Sequence, residues 1–393
     1  MSTDLRLHGT VKKMRMVFDN AVCFFIMAPM SQNLRTSLYD EHVSLKARMA
    51  PFGGWEMPIL YRGIIQEHVH TRERVSVFDI CHMGEFELTG RTAEADLEKL
   101  LTQSVVKIPE GGCGYGYLLN ENGGVLDDLI CYRFADEKFW LVVNASTAQN
   151  DSLWIKSHLS SATQFRDISN DTAKLDIQGP RARMEIEKAL GIKLPDLEYY
   201  HFTPFAFDGI DCVLSRTGYT GEFGYELYLP VQHAVSVWRR LLAPGAILPA
   251  GLGARDTLRV EMGFPLYGHE LSEKNTPAGA ARGKFIDLSK DFIGCDPVRR
   301  AMQDESTRRL VGLQLEGRMA ARPDDSVFDG EREVGKVTSG LFSPSLNVAV
   351  ALAYVERACS DAGRKLAVIS REKKLPVEIV KLPFYKKGTA RQN

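Results

Sequence analysis

The stretch from Gly111 to Ser146, GGCGYGYLLNENGGVLDDLICYRFADEKFWLVVNAS, constrains the fold more than any other part of the chain. It reads as three successive strands. The first covers Tyr115 to Leu119, the second Val125 to Arg133 and the third Phe139 to Asn144. The turn between the first two, Asn120-Glu-Asn-Gly-Gly124, is rich in residues that tolerate positive φ. Ala135 to Lys138 forms the second turn. Side chains alternate along a strand, so the middle one carries two rows: Val125, Asp127, Leu129 and Cys131 against Leu126, Asp128, Ile130 and Tyr132. Each row is apolar apart from one aspartate. A strand apolar on both faces is buried on both, and an unpaired carboxylate out of water is costly. Such an acid is hydrogen-bonded, raised in pKa, or kept for chemistry. The alternative is that both acids cap turns or pair with arginines at the wet end of the strand.

A chain of 393 residues has room for two or three domains at roughly 150 residues each. With 44% hydrophobic and 25% charged residues it is not a disordered polymer, and its net charge of −1 offers no field for nucleic acid or an anionic membrane. Seven cysteines are scattered without a Cys-x-x-Cys pair, which argues against a zinc site or disulfide framework and for buried thiols in a reducing compartment. Residues 1–30 differ in character. Lys12, Lys13 and Arg15 precede the apolar run from Ala21 to Ala28, but the run is short and lacks a small-residue cleavage pattern, so a secretory signal is not expected. Nor does any later segment reach the ~20 apolar residues that cross a bilayer.

Several further segments have readable periods. Tyr39 to Met49, Ile64 to Val75, Thr92 to Gln103, Ala148 to Leu159, Arg181 to Leu190 and Gln232 to Leu242 are expected helices. His68 and His70 are two apart and so point to different sides of their helix. Ser76 to Thr89 is strand-like throughout. Trp55, between glycines and prolines, is either a binding platform or a core plug. Cys212 to Tyr228 is a strand, a glycine-lined turn and a second strand, with Tyr225, Leu227 and Leu229 on one face and Glu226 and Tyr228 on the other. Glu226 either grips a flat amide-like edge with two hydrogen bonds or is an edge charge in water. Asp256, placed in the first turn of a helix ending at Glu261, would suit the helix dipole. From about Ser306 short strands joined by Gly and Pro turns point to a closing β-barrel or sandwich. No phosphate loop, nucleophile elbow or H-E-x-x-H occurs, which leaves carboxylates, aromatics and glycines to carry the chemistry, with a planar organic cofactor.

Taken together, FGGWEMP (52–58), VFDICHMGEFELTG (77–90), LLNENGGVLDDLICY (118–132), VVNAS (142–146), IQGP (177–180), RTGYTGEFGYEL (216–227), AGLGARDTLRVEMGFPLYG (250–268) and TSGLFSPSLNVAVALAYV (338–355) resemble the aminomethyltransferase, or T-protein, family of the glycine cleavage system. The resemblance runs from about Ser37 to Thr389. It implies an α+β clover-leaf of two interleaved α+β domains (31–305) and a C-terminal β-barrel (306–393) around a central folate channel, with residues 1–30 outside the family pattern. It also implies tetrahydrofolate as co-substrate, no metal, and a lipoylated H-protein as partner, in a bacterial cytoplasm or a mitochondrial matrix. Carried over by residue, Asp128 would be the catalytic carboxylate near N10 of the folate, and Glu226 would grip the pterin. Tyr115, Tyr132, Tyr200, Tyr219 and Arg255 would line the channel. One departure stands out: Ala281-Arg282-Gly283-Lys284 lacks the tryptophan that commonly follows a glycine in the family. Two other readings are another folate-dependent demethylase or methyltransferase of this fold, and a non-catalytic folate-binding protein serving iron–sulfur enzymes. The second is disfavoured because Ile293 to Val298, IGCDPV, lacks the K-G-C-Y-x-G-Q-E block of those proteins.

Overall fold

The computed structural model describes residues 33–280 and 283–392, with the side chain of Lys284 excluded. The N-terminal extension and the missing-tryptophan position at 281–284 therefore lie largely outside the described residues.

The three expected strands form consecutive members of a five-stranded sheet. Its order is Cys113–Leu119, Val125–Ala135, Lys138–Val143, Gly84–Thr89 and Gln164–Asp167. A six-stranded sheet has the order Phe202–Phe207, Ile210–Ser215, Gly224–Pro230, Thr172–Gln178, Ser76–Asp79 and Leu248–Pro249. The stretch expected as one strand from Ser76 to Thr89 is thus two. Ile80 to Met83 breaks it, and the halves join different sheets. That break interleaves the two α+β domains: the chain enters the larger sheet at Ser76, crosses to build the smaller one, and returns at Thr172. The third domain is a closed barrel of six strands between Arg309 and Val380.

Each sheet is covered on one side by helices, as its apolar periodicity demands. Leu129 and Cys131 pack with Phe86, Leu88, Leu97 and Ile155 against the helices Ala93–Leu100 and Ala148–His158. Tyr225, Leu227 and Leu229 pack with Ile186, Val237 and Trp238 against Ala182–Leu190 and Ala234–Leu242. Each fully buried large apolar side chain there contributes about 1.5–3 kcal/mol. The opposite sheet faces meet through Tyr132, Val142, Phe202, Val213 and Tyr228.

Two helix expectations change. The first helix stops at Ser44, because Arg48–Phe52 pairs antiparallel with Trp55–Leu60 across a turn at Gly53 and Gly54, both at positive φ. Trp55 is half-buried in that hairpin, neither deep in a core nor on a cavity wall. The helix ending at Glu261 begins at Leu252, so Asp256 lies beyond its first turn and the dipole does not explain it. His68 bonds Thr257 and Ser345, while His70 reaches Ser76, so the two do diverge.

Candidate functional site

The sheets, the helix Leu252–Glu261 and the segment after Val380 enclose a cavity of about 1600 Å³. Two carboxylate arrangements mark its walls.

The first lies on the strand Val125–Ala135. Asp128 lines the cavity, whereas Asp127 on the opposite face is fully buried toward the helix Ala148–His158. Tyr115, diagonal to Asp128 across the strand pair, donates its hydroxyl to Asp128 Oδ2 at 2.8 Å. Asn144 Nδ2 donates to Asp128 Oδ1 at 3.0 Å and to Asp127 Oδ1 at 2.7 Å, and the Asn144 backbone N–H donates to Asp127 Oδ2 at 2.9 Å. One asparagine therefore ties together acids on two faces of one strand. Burial, and then the neighbouring Asp127 charge, push the Asp128 carboxyl up to about 7 despite the Tyr115 and Asn144 bonds. Burial and Asp151 hold Asp127 well above the ordinary carboxylate range, and burial pushes Asp151 to about 7.

The second arrangement lies on two paired strands. Glu226 pairs with Asp176 and Tyr228 with Lys174, and residues directly opposite in an antiparallel pair share a face. All four thus lie on the face opposite the Leu175 and Leu227 core. Lys174 Nζ is 3.2 Å from Glu226 Oε1, and Thr217 Oγ1 donates to Glu226 Oε2. Burial alone would raise the Glu226 carboxyl, but Lys174 and Thr217 hold it below its usual value. Arg255 bonds Asp176 and lies 4.9 Å over the Tyr219 ring. Tyr219 stacks on Phe264 at 5.7 Å and donates its hydroxyl to the Pro265 carbonyl. Asp176 Oδ1 has no hydrogen-bond partner, and burial pushes this acid to about 6 against the Arg255 charge.

Of the residues expected at the site, Tyr115, Asp128, Tyr200, Tyr219, Glu226 and Arg255 all border this one cavity. Tyr200 holds a positive φ of 66°, with its carbonyl accepting from Cys113 N–H at 2.9 Å. Tyr132 does not border the cavity surface itself, although its hydroxyl lies 3.5 Å from Glu226 Oε2. It is fully buried behind the wall, its hydroxyl 2.9 Å from that of Tyr228, because its ring fills the gap between the sheets. Asn144, Lys174 and Asp176 were missing from the expected set. Asn144 sits in the VVNAS block, and the alternation of Ala173-Lys-Leu-Asp-Ile-Gln178 would have placed Lys174 and Asp176 on one face. Among the described residues no group of three or more His, Cys, Asp or Glu is arranged to hold a metal ion, and the six cysteines are free thiols. No helix among them is long and apolar enough to cross a membrane.

Residues 38–290 match the family described as the GCVT N-terminal domain, and residues 308–386 match the glycine cleavage T-protein C-terminal barrel domain. The aminomethyltransferase of Desulforamulus reducens is 40% identical over 362 residues, covering 91% of this chain and 100% of the relative. That of Synechococcus elongatus is 42% identical over 359 residues, covering 90% and 96%. The crystal structure of glycine cleavage system aminomethyltransferase T from Bartonella henselae superimposes with a TM-score of 0.86 at 32% identity, covering 91% of this chain and 99% of that one.

Proposed function

The chain belongs to the glycine cleavage T-protein family and is an aminomethyltransferase, and from that premise we propose how its cavity serves the reaction. The methylene carbon of an aminomethyl group on the lipoyl arm of H-protein passes to tetrahydrofolate, with release of ammonia. The observation that carries this reading is the single cavity bordered by both Asp128 and the Glu226–Lys174 pair. Its dimensions and its aromatic rings suit a flat ring system with a tail, and the Glu226 carboxylate suits a pair of adjacent N–H donors. Tetrahydrofolate, when bound, supplies the nitrogens that accept the carbon.

The protein's own groups then have separable tasks. Glu226 binds and orients the ring edge; Tyr219, backed by Phe264, and Tyr200 supply walls. Arg255 is fixed by Asp176 at the cavity edge, where its charge faces an anionic ligand group. Asp128 is aimed by Tyr115 and Asn144. As a carboxylate it stabilises positive charge developing on nitrogen as ammonia departs. With its carboxyl near 7 it is also poised to hold or release a proton at its Oδ atoms.

Formation of 5,10-methylenetetrahydrofolate from aminomethylated H-protein and tetrahydrofolate tests the reading. No product, alongside turnover of a methylated amine, would transfer the chain to the demethylases of the same fold.

A further inference from the structure

Lys174 is 1% exposed, yet it borders the cavity. Its ammonium group lies 3.2 Å from Glu226 Oε1, 3.8 Å from Met83 Sδ and 5.0 Å from the centre of the Tyr228 ring. An ammonium has three N–H donors, and only the Glu226 contact uses one fully. Glu85 also feels Lys174, but burial pushes that carboxyl up to about 8, so near neutrality it is largely uncharged and leaves the cation to Glu226. Glu226 likewise has acceptor capacity left, since a carboxylate offers about four sites while Lys174 takes one on Oε1, and Thr217 and, at the long distance of 3.5 Å, Tyr132 donate to Oε2. The wall thus presents an acceptor with a cationic donor immediately beside it.

We propose that the two residues read adjacent atoms of one ring edge: Glu226 accepts from the ring N3–H and the 2-amino N–H of a 2-amino-4-oxopyrimidine, and Lys174 donates to the neighbouring exocyclic 4-oxo oxygen. Lys174 is then a specificity-determining residue that selects 4-oxo over 4-amino pteridines. This rests on the reading of Glu226 as the ring-gripping acid. A 4-amino group would turn N–H donors toward an ammonium that also has only donors, and a buried polar mismatch of that kind is strongly discriminating.

The test is equilibrium binding of tetrahydrofolate and of its 4-amino analogue, tetrahydroaminopterin, to the full chain at pH 7, where Glu85 is largely uncharged. Wild type is compared with Lys174→Met. Lys174→Met is expected to weaken tetrahydrofolate roughly 10–100-fold while changing the 4-amino analogue much less, so that the preference ratio moves at least tenfold toward the analogue. An unchanged ratio overturns the proposal. Lys174→Gln, which keeps a donor without the charge, should give an intermediate ratio and serves if the methionine variant does not fold. Wild type that binds the 4-oxo and 4-amino forms equally also overturns it. Wild type that binds neither ligand refutes the folate reading itself, a distinguishable failure.

Discussion

At the scale of single residues, neighbouring aspartates stand in different surroundings, one on the cavity and one fully buried, because a strand turns consecutive side chains to opposite faces. Asp128→Asn keeps shape and most hydrogen bonding but removes the charge in the cavity. Turnover should fall by roughly 10²–10⁴, with tetrahydrofolate still bound, as measured by steady-state kinetics and by titration. Asp127→Asn sets an amide among the Asn144 donors and should cost about 1–3 kcal/mol of stability with a far smaller loss of turnover. Equal losses of turnover would mean that the faces are assigned the wrong way round. Glu226→Gln puts a donor where acceptors are needed. It should weaken tetrahydrofolate binding by about 2–4 kcal/mol, and an unchanged Kd would remove Glu226 from the ring edge. That Asp128, Glu226 and Arg255 come together at one cavity was legible from their blocks. Tyr132, carried over from the family likeness, lies behind the cavity surface, a depth that alternation along a strand does not assign. It shares the Asp128 face, yet it sits where the two sheets close on each other.

At the scale of elements, Asn144 is the joint between the strand Lys138–Val143 and both acids of its neighbour. Asn144→Ala removes a donor that favours the ionised form of Asp128, so the Asp128 carboxyl should rise further. The acid limb of the pH–activity profile would then move up by about 1 on the pH scale, accompanied by a lower Tm. A limb that stays in place would show that Asn144 does not tune the acid. The hairpins from Cys113 to Val143 were legible because period-two alternation and glycine-rich turns agree there. The division at Ile80 to Met83 was not, since the residues on both sides of it are equally strand-like and buried. Lys174 and Asp176 escaped notice for a related reason. The apolar run that signals this strand begins only at Leu175, after one of the two charges, so the polar face shows no pattern.

At the scale of the molecule, the helix Leu252–Glu261 fastens the cavity to the barrel. Buried Arg259 bonds Glu270 at 2.7 Å and Ser339 at 2.8 Å, and Glu270 accepts from Thr338 and Ser339 on the barrel strand Arg332–Ser343. Glu270→Ala leaves Arg259 a buried charge without that partner and should cost about 3–5 kcal/mol in urea unfolding. Glu261 accepts from Ser343 and Ser345 of the barrel and from Arg72. Burial acts to raise its carboxyl, but His68 and Arg72 hold it at about 2. A lowered folded-state pKa stabilises above the ordinary value of 4.5 and loses that contribution as pH falls toward 2, so thermal melts should show Tm declining across that window. The interleaved sheets bear on how such a chain can be cut and recombined. Ser76–Asp79 pairs with Thr172–Gln178 across all of the smaller sheet's hairpins, which lie between them in the chain. The pairing is non-local and closes a long loop, which slows folding. A break between Asp79 and Thr172 separates Ser76–Asp79 from its partner, so neither fragment holds an intact larger sheet. The two cavity walls are in that sense inherited as one unit, and a crossover between relatives is better tolerated next to the barrel than between the walls.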